Sequence, residues 1–485
     1  MIANLIHLLT YNPEEPLFFS SGLFLVFFLL LSFLYMVAHR RTGLREVFVL
    51  LFSTYFYYKS SGAAVLLLLF ITLSDYLIAR AIDTIEKRGQ RLLLLALSIL
   101  IDIGSLAFFK YADVLAQQFN IRSIEDLIMP IGISFYTFRS VSYTVDVYRR
   151  RLPATRSLLD YAFYVTFFPV LLAGPINRAV DFLPQIHRKL RISPMMIAQG
   201  TFLIAIGLLK KTVVSDYISL NFVDRVFDNP TMFSGGEVLL AIYGYCLQIY
   251  CDFSGYSDMA IGLALWLGFN LGDNFRQPFL ADSFTEFWRR WHITLSTWIR
   301  DYIYIPLGGS RCGRLRTFFN QMVAMLLCGL WHGATWTFLL WGAIHGLLLC
   351  LHKFFSQAVM HHERHYHPHG WRRLVAVFVT FHMLCLTWLP FRLSSIYDVQ
   401  IMLHQLVSKF NVSLLPDIVF AYRWVLLVMA AGFIGHFIPY SFEHSLIRRL
   451  ARGGVVASAL LLVVVIYVVI QVRSSSVQPF IYFQF

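Results

Sequence analysis

Long apolar runs broken by short polar interruptions dominate the chain, and their lengths set the first constraint. Runs near the roughly 20 residues that cross a bilayer lie at 17–38, 47–70 (interrupted near Lys59), 92–110, 128–148, 158–175, 196–215, 235–268, 319–352, 371–390, 422–440 and 454–472. The run 319–352 is long enough for two spans. The pattern predicts about a dozen segments, some of them short or re-entrant. The longest polar stretches, 270–318 and 352–372, are too small for a soluble domain. The expected fold class is an all-α polytopic integral membrane protein, one domain over 1–485.

One stretch departs from this pattern. Within 276–316, Phe284, Phe287, Trp288, Trp291, Leu295, Trp298 and Ile299 recur at helical spacing, while Asp282, Glu286, Arg289, Arg290, Arg300 and Asp301 fill the other positions. This predicts one amphipathic helix from 284 to 299, too charged to span, lying at the interface or dipping into the protein. Ser283 is the expected N-cap, with Glu286 at the capping-box position. His292 falls at the border of the apolar face.

Composition supports the membrane reading: 58% of the 485 residues are hydrophobic and 14% charged, against about 25% charged in soluble domains. The formal charge of +13 is explained by basic loops between spans, so nucleic-acid binding is not expected. Basic clusters follow the first span (Arg40, Arg41, Arg45) and recur at Arg80–Arg91, Arg149–Arg151, Arg289–Arg316, Lys353–Arg373 and Arg448–Arg452. By the positive-inside rule the N-terminus lies outside, 270–318 inside and the terminal FIYFQF outside. No cleavable signal pattern is read at the N-terminus. The six cysteines form no CxxC, so a disulfide framework is not expected. Cys251 and Cys312 read first as small hydrophobes, with a reactive or lipidated thiol as the alternative.

Several polar residues are costly at membrane depth and so are candidates for chemistry. His332 lies in MVAMLLCGLWHGATWTFLLWGAIHGLLLCL (322–351); bonding to a neighbouring helix carbonyl is its structural alternative. His345 reads as structural. In YCDFSGYSDMA, helical spacing places Asp252 and Tyr256 on one side and Ser254 and Asp258 on another; a tunnel wall and plain structural bonding both fit. Gly174-Pro175 breaks a span, as helices do where they line a cavity. The tract HHERHYHPHG (361–370) reads as a charged hinge, with metal binding as the alternative; no metal site is assigned.

Five ordered blocks, PIGISFYTFRSVSYTVDVYRRR (130–151), FFPVLLAGPINR (167–178), YCDFSGYSDMAIGLALWLGFNLGDNFRQPF (250–279), FWRRWHITLSTWIRDYIYIPLGG (287–309) and GLWHGATWTFLLWGAIHG (329–346), resemble the membrane-bound O-acyltransferase family. The resemblance is to its bacterial branch of alginate O-acetylation and teichoic-acid D-alanylation subunits. The first 15 residues and 391–430 carry none of it. The resemblance implies a core of about 11–13 transmembrane or re-entrant helices around a central tunnel. The family-like core covers about 128–352, with peripheral helices at 17–110 and 371–472.

It also implies catalytic positions at His332 and His292. Trp331, Trp291, Trp288, Tyr250, Asp252, Ser254, Asn270 and Asp301 are expected to line the substrate path. O-acylation by a thioester needs a base for the hydroxyl proton, and a neutral imidazole suits that task. His332 is expected to be that base, with an acyl-imidazole as the covalent alternative. His292 would polarise the thioester carbonyl or hold donor or acceptor in place.

The implied activity moves an acetyl group from a cytoplasmic thioester to a hydroxyl of an exported polysaccharide, in a bacterial inner membrane. Acetyl-coenzyme A is the expected donor, and the basic residues 289–316 either meet its phosphates or are ordinary inside-facing charge. A periplasmic or membrane-anchored acyltransferase is the expected partner, and no permanently bound cofactor is expected. Transfer from a D-alanyl carrier protein, transfer to a lipid, a scaffold role and a transporter are the alternatives.

Overall fold

The computed structural model describes residues 8–13, 15–38, 41–118, 129–189, 191–356 and 368–472, and among these it contains helices and no strands. In chain order the α-helices are α1 (Gly22–Val37), α2 (Thr42–Ser61), α3 (Val65–Thr84), α4 (Arg88–Gln118), α5 (Ile133–Tyr148), α6 (Leu158–Thr166), α7 (Ala179–Ile186), α8 (Pro194–Leu208), α9 (Asp224–Asp228) and α10 (Gly235–Trp266). They continue with α11 (Phe284–Arg290), α12 (Ile293–Ile299), α13 (Arg314–His332), α14 (Trp336–Phe354), α15 (Trp371–Arg392), α16 (Ile396–Ser408), α17 (Leu415–Ala421), α18 (Arg423–His436) and α19 (Tyr440–Val472).

Among the described residues, seven stretches are long and apolar enough to cross a membrane, or eight if the α17–α18 pair, bent by 87°, counts as one span. The other apolar runs fold as shorter helices. Run 17–38 becomes the 16 residues of α1, and 128–148 the 16 residues of α5. Run 158–175 is cut to the nine residues of α6, followed by a 3-10 turn and an irregular stretch containing Gly174 and Pro175. The run broken near Lys59 breaks at Gly62, whose φ of 58° lies in the left-handed region. The Lys59 ammonium, buried there, donates to the Thr10 carbonyl.

Two compact units interleave along the chain. The first comprises 1–204, 256–272 and 450–458; the second 205–255, 273–449 and 459–485. In the first, Phe24, Phe52, Phe56 and Phe168 form one aromatic cluster, and Phe163, Phe167, Phe182 and Phe269 another. Such ring pairs bury large areas in edge and offset geometries. Gly200 of α8 meets Gly262 of α10 so closely that a Cβ on Gly262 would lie 2.6 Å from the Gly200 carbonyl oxygen.

The second unit holds most of α10 and the α13–α14 hairpin. These two helices pack backbone to backbone: a Cβ on Gly329 would sit 2.3 Å from the Phe338 carbonyl oxygen, and one on Gly342 2.5 Å from that of Met325. Inside the same unit Lys211 bridges Asp216 (2.8 Å) and Asp252 (2.6 Å), all three largely buried. The six cysteines are free, with Cys251 buried and Cys312 exposed. Of the histidine tract, His361, His362, His365 and His367 lie outside the described residues.

Candidate active site

His332 is the last residue of α13, and the glycine contacts with α14 decide what surrounds it. Its ring is buried among Trp331 (ring centroids 4.7 Å), Phe391 (4.9 Å), Trp341 (5.0 Å) and Phe338 (6.4 Å). Trp341 also packs at a tilt against His345 at 4.6 Å, so both hairpin histidines share one indole. His345 Nε2 pairs with Thr387 Oγ1 at 3.1 Å.

His292 reaches the same region by a break in the chain. The continuous helix expected over 284–299 does not form. Ser283 does cap its start, accepting from the Glu286 N–H at 3.3 Å. But α11 ends at Arg290 and α12 starts at Ile293, with His292 between them at φ 40°. A β-carbon makes this left-handed conformation unfavourable, and non-glycine residues held there cluster at functional sites. The reason for the break is Asn274. Its carbonyl accepts the Ile293 N–H at 2.9 Å, and its Oδ1 accepts from Thr294 N (3.4 Å) and Thr294 Oγ1 (2.8 Å). The two donors from Thr294 identify Oδ1 as the acceptor atom.

The same Oδ1 lies 3.0 Å from His292 Nδ1, so Nδ1 carries the proton and donates. That leaves Nε2 with a lone pair, fully buried and without a hydrogen-bond partner among the described residues. Burial pushes the His292 imidazole, which lies outside the spanning helices, down to about 3, because a low-dielectric site disfavours the cation. His292 is thus a neutral ring with its accepting nitrogen facing the interior.

Trp331 joins the two histidines: its ring lies 6.2 Å from His292 and 4.7 Å from His332. Phe253 closes on His292 at 4.6 Å. Trp291 stacks on Phe287 (5.4 Å) and meets Trp388 (5.1 Å), and Trp288 packs on His345 (5.5 Å) and Trp341 (5.8 Å). Tyr250 meets His436 at 4.8 Å and has Lys210 over its face at 5.5 Å. The indole N–H groups of Trp288 and Trp341 are buried with no acceptor among the described residues. An unserved buried donor is costly, so these groups are suited to an oxygen arriving with substrate.

The other expected lining residues divide. Asp252 is held by Lys211, which gives it a structural partner. Ser254 is fully buried on α10. Asp301 pairs with Arg300 at 2.7 Å in the wide turn after α12. Asn270 belongs to the first unit, where its backbone exchanges hydrogen bonds with the Gln185 side chain (2.9 and 3.0 Å). Sequence spacing did not single out Asn274, Trp388, Phe391 or His436. Asn274 is 18 residues from His292, and no periodicity links them. His436 accepts the Phe279 N–H at 3.2 Å.

The sequence profile of the membrane-bound O-acyltransferase family matches residues 78–397, about two-thirds of the chain and all of the site residues named above except His436. The chain belongs to that family. A probable alginate O-acetylase of Pseudomonas putida is 37% identical over 394 residues, 78% of each chain. A peptidoglycan O-acetyltransferase of Helicobacter pylori is 35% identical over 371 residues, 70% of this chain and 69% of that protein. A teichoic acid D-alanyltransferase of Bacillus subtilis is 27% identical over 278 residues, 54% of this chain and 68% of the other. As a family member the protein is a multi-pass membrane O-acyltransferase, and the helix composition agrees.

Proposed function

We propose that this membrane-bound O-acyltransferase moves an acetyl group from acetyl-coenzyme A to a hydroxyl of an exported polysaccharide, directly or through a partner acyltransferase. The two histidines on either side of Trp331 are its reaction centre. The observation that carries this reading is the fixed tautomer of His292, a buried ring with a free lone pair that shares the Trp331 indole with His332. The relatives most similar over their length include O-acetylases of alginate and peptidoglycan, which favours acetyl transfer over D-alanyl transfer.

In this reading His332 takes the proton of the attacking hydroxyl. His292 holds the acceptor by accepting, at Nε2, the hydrogen bond of a different, neighbouring hydroxyl, and His332 hands the proton it has taken to the departing coenzyme A thiolate. With its proton on Nδ1, neutral His292 cannot donate from Nε2, so of its two expected roles, positioning fits and polarising the carbonyl does not. The developing oxyanion is met by an indole N–H, Trp341 being the candidate beside His332. One such donor is worth roughly 10²–10³-fold in rate. The basic-loop pattern supports a cytoplasmic face for 270–318, a periplasmic N-terminus and a donor entering from the cytoplasm through the family's tunnel.

The test is release of coenzyme A from radiolabelled acetyl-coenzyme A by the purified protein in proteoliposomes, with and without a soluble oligosaccharide. Turnover that disappears in His332→Ala, with unchanged elution in detergent, is expected. Full turnover in that variant overturns the assignment. Turnover with a D-alanyl carrier and none with acetyl-coenzyme A overturns the donor.

A further inference from the structure

Away from the two histidines, the first unit gathers three side chains with metal-ligand chemistry. Glu46 comes from the start of α2, Asp160 from the first turn of α6, and His187 from the residue that ends α7. One ligand atom from each lies within 4.8 Å of the other two. His187 Nε2 is 2.8 Å from Asp160 Oδ2. Glu46 and Asp160 are 4% and 8% exposed, whereas the His187 side chain is 62% exposed. The cluster is therefore rooted in the interior and open on one side.

Glu46 gives the independent observation. Its Oε1 is buried without a hydrogen-bond partner among the described residues. The neighbouring Arg45 does not supply one: its guanidinium donates to the Ile186 carbonyl at 3.0 Å and lies over the Tyr35 ring. Buried carboxylate oxygens are nearly always bonded, and two carboxylates this close repel unless something positive lies between them. His187 and Arg45 lend Glu46 some positive charge, but the His187 ring hydrogen-bonds only Asp160 and leaves Glu46 Oε1 unbonded. A divalent ion serves both, and two carboxylates with one neutral imidazole balance its charge.

We propose that Glu46, Asp160 and His187 bind a divalent transition-metal ion of the Zn²⁺ class, with its remaining position open to water at the exposed side. Ligands about 2.1 Å from zinc sit roughly 3.0–3.4 Å apart, close to the His187–Asp160 separation, so the carboxyl of Glu46 needs only a small swing. The ion clips the start of α2 and the start of α6 to the end of α7. Imidazole and carboxylate suit zinc better than magnesium or calcium, which prefer all-oxygen shells.

The full-length protein, purified with a tag that contains no histidine, is loaded with ZnCl₂, desalted and assayed for zinc by mass spectrometry. His361, His362, His365, His367 and His369 are replaced by Asn in every sample, so the tract cannot contribute. About one Zn²⁺ per chain is expected, falling at least tenfold in Glu46→Gln and in His187→Ala. A zinc-dependent rise in melting temperature is expected in the parent and not in His187→Ala. Because His187 is at the surface, that variant tests the ion without disturbing the interior. No retained zinc in the parent, or equal zinc in parent and His187→Ala, overturns the proposal.

Discussion

The Oδ1 of Asn274 accepts a hydrogen bond from the Nδ1–H of His292 across 3.0 Å while also accepting twice from Thr294. One amide oxygen therefore sets both the tautomer of the ring and the backbone break that carries it. Second-sphere partners of this kind fix ring orientation and decide which nitrogen faces substrate.

Replacing the two histidines separates their roles. His332→Ala is expected to lower kcat/KM by about 10²–10⁴-fold, the usual contribution of a general base. His292→Gln keeps an accepting oxygen near the Nε2 position, so a loss of about tenfold or less is expected, mainly in KM. Steady-state assay of coenzyme A release checks both. A loss in His292→Gln as large as that of His332→Ala would make His292 the base.

Asn274→Asp tests the tautomer through pH. The native ring stays neutral down to about 3 because burial disfavours its charge. A carboxylate on Nδ1 stabilises the imidazolium and raises that value. The acid limb of kcat/KM is expected to move up by at least about one pH unit, since protonated Nε2 cannot accept. A superimposable profile removes Asn274 from the argument.

The depressed His292 also makes stability pH-dependent. In the unfolded chain the ring titrates near 6.5, so below that pH the unfolded state binds the extra proton. Its contribution is complete above about 6.5 and declines by about 1.4 kcal/mol per pH unit on acidification, down to the folded value near 3. Thermal unfolding in detergent between pH 7 and 5 should show a smaller decline in His292→Gln than in the parent.

Trp341→Phe removes one indole donor and keeps most of the ring packing around His332 and His345. A fall in kcat of about 10²–10³-fold with little change in KM is expected if this N–H meets the oxyanion. Burst kinetics that leave the acyl-transfer step unchanged would move the donor to Trp288.

Packing of the hairpin makes its own prediction. Gly329→Ala places a methyl 2.3 Å from the Phe338 carbonyl oxygen, whereas Gly435→Ala meets nothing within 4 Å. The first is expected to cost about 1–3 kcal/mol or more by overpacking and to displace His332; the second should be near neutral for packing. Comparing their melting temperatures checks the difference.

Much of this was legible in the order of residues. The family blocks carried both histidines, the Ser283 cap formed where the spacing put it, and Gly174-Pro175 interrupted its span. The helix over 284–299 was misread because periodicity records which side chains are apolar and cannot register a backbone break. Seven of its apolar positions kept helical spacing on either side of His292, so the pattern concealed the interruption. Asp252 was visible as a buried charge, but its partner Lys211 lies 41 positions earlier, in another helix.

Sequence alone determined the solvent and the chemistry: apolar runs of bilayer length demand helices, and histidines within and beside them demand a reason to be there. Tertiary structure alone decided which nitrogen of His292 is free, which indoles border the rings and which carboxylate is already paired. Those are contacts between residues far apart in the chain. They depend on distances of a few tenths of an ångström, set by the close approach of Gly329 and Gly342 and by one asparagine that holds open a turn.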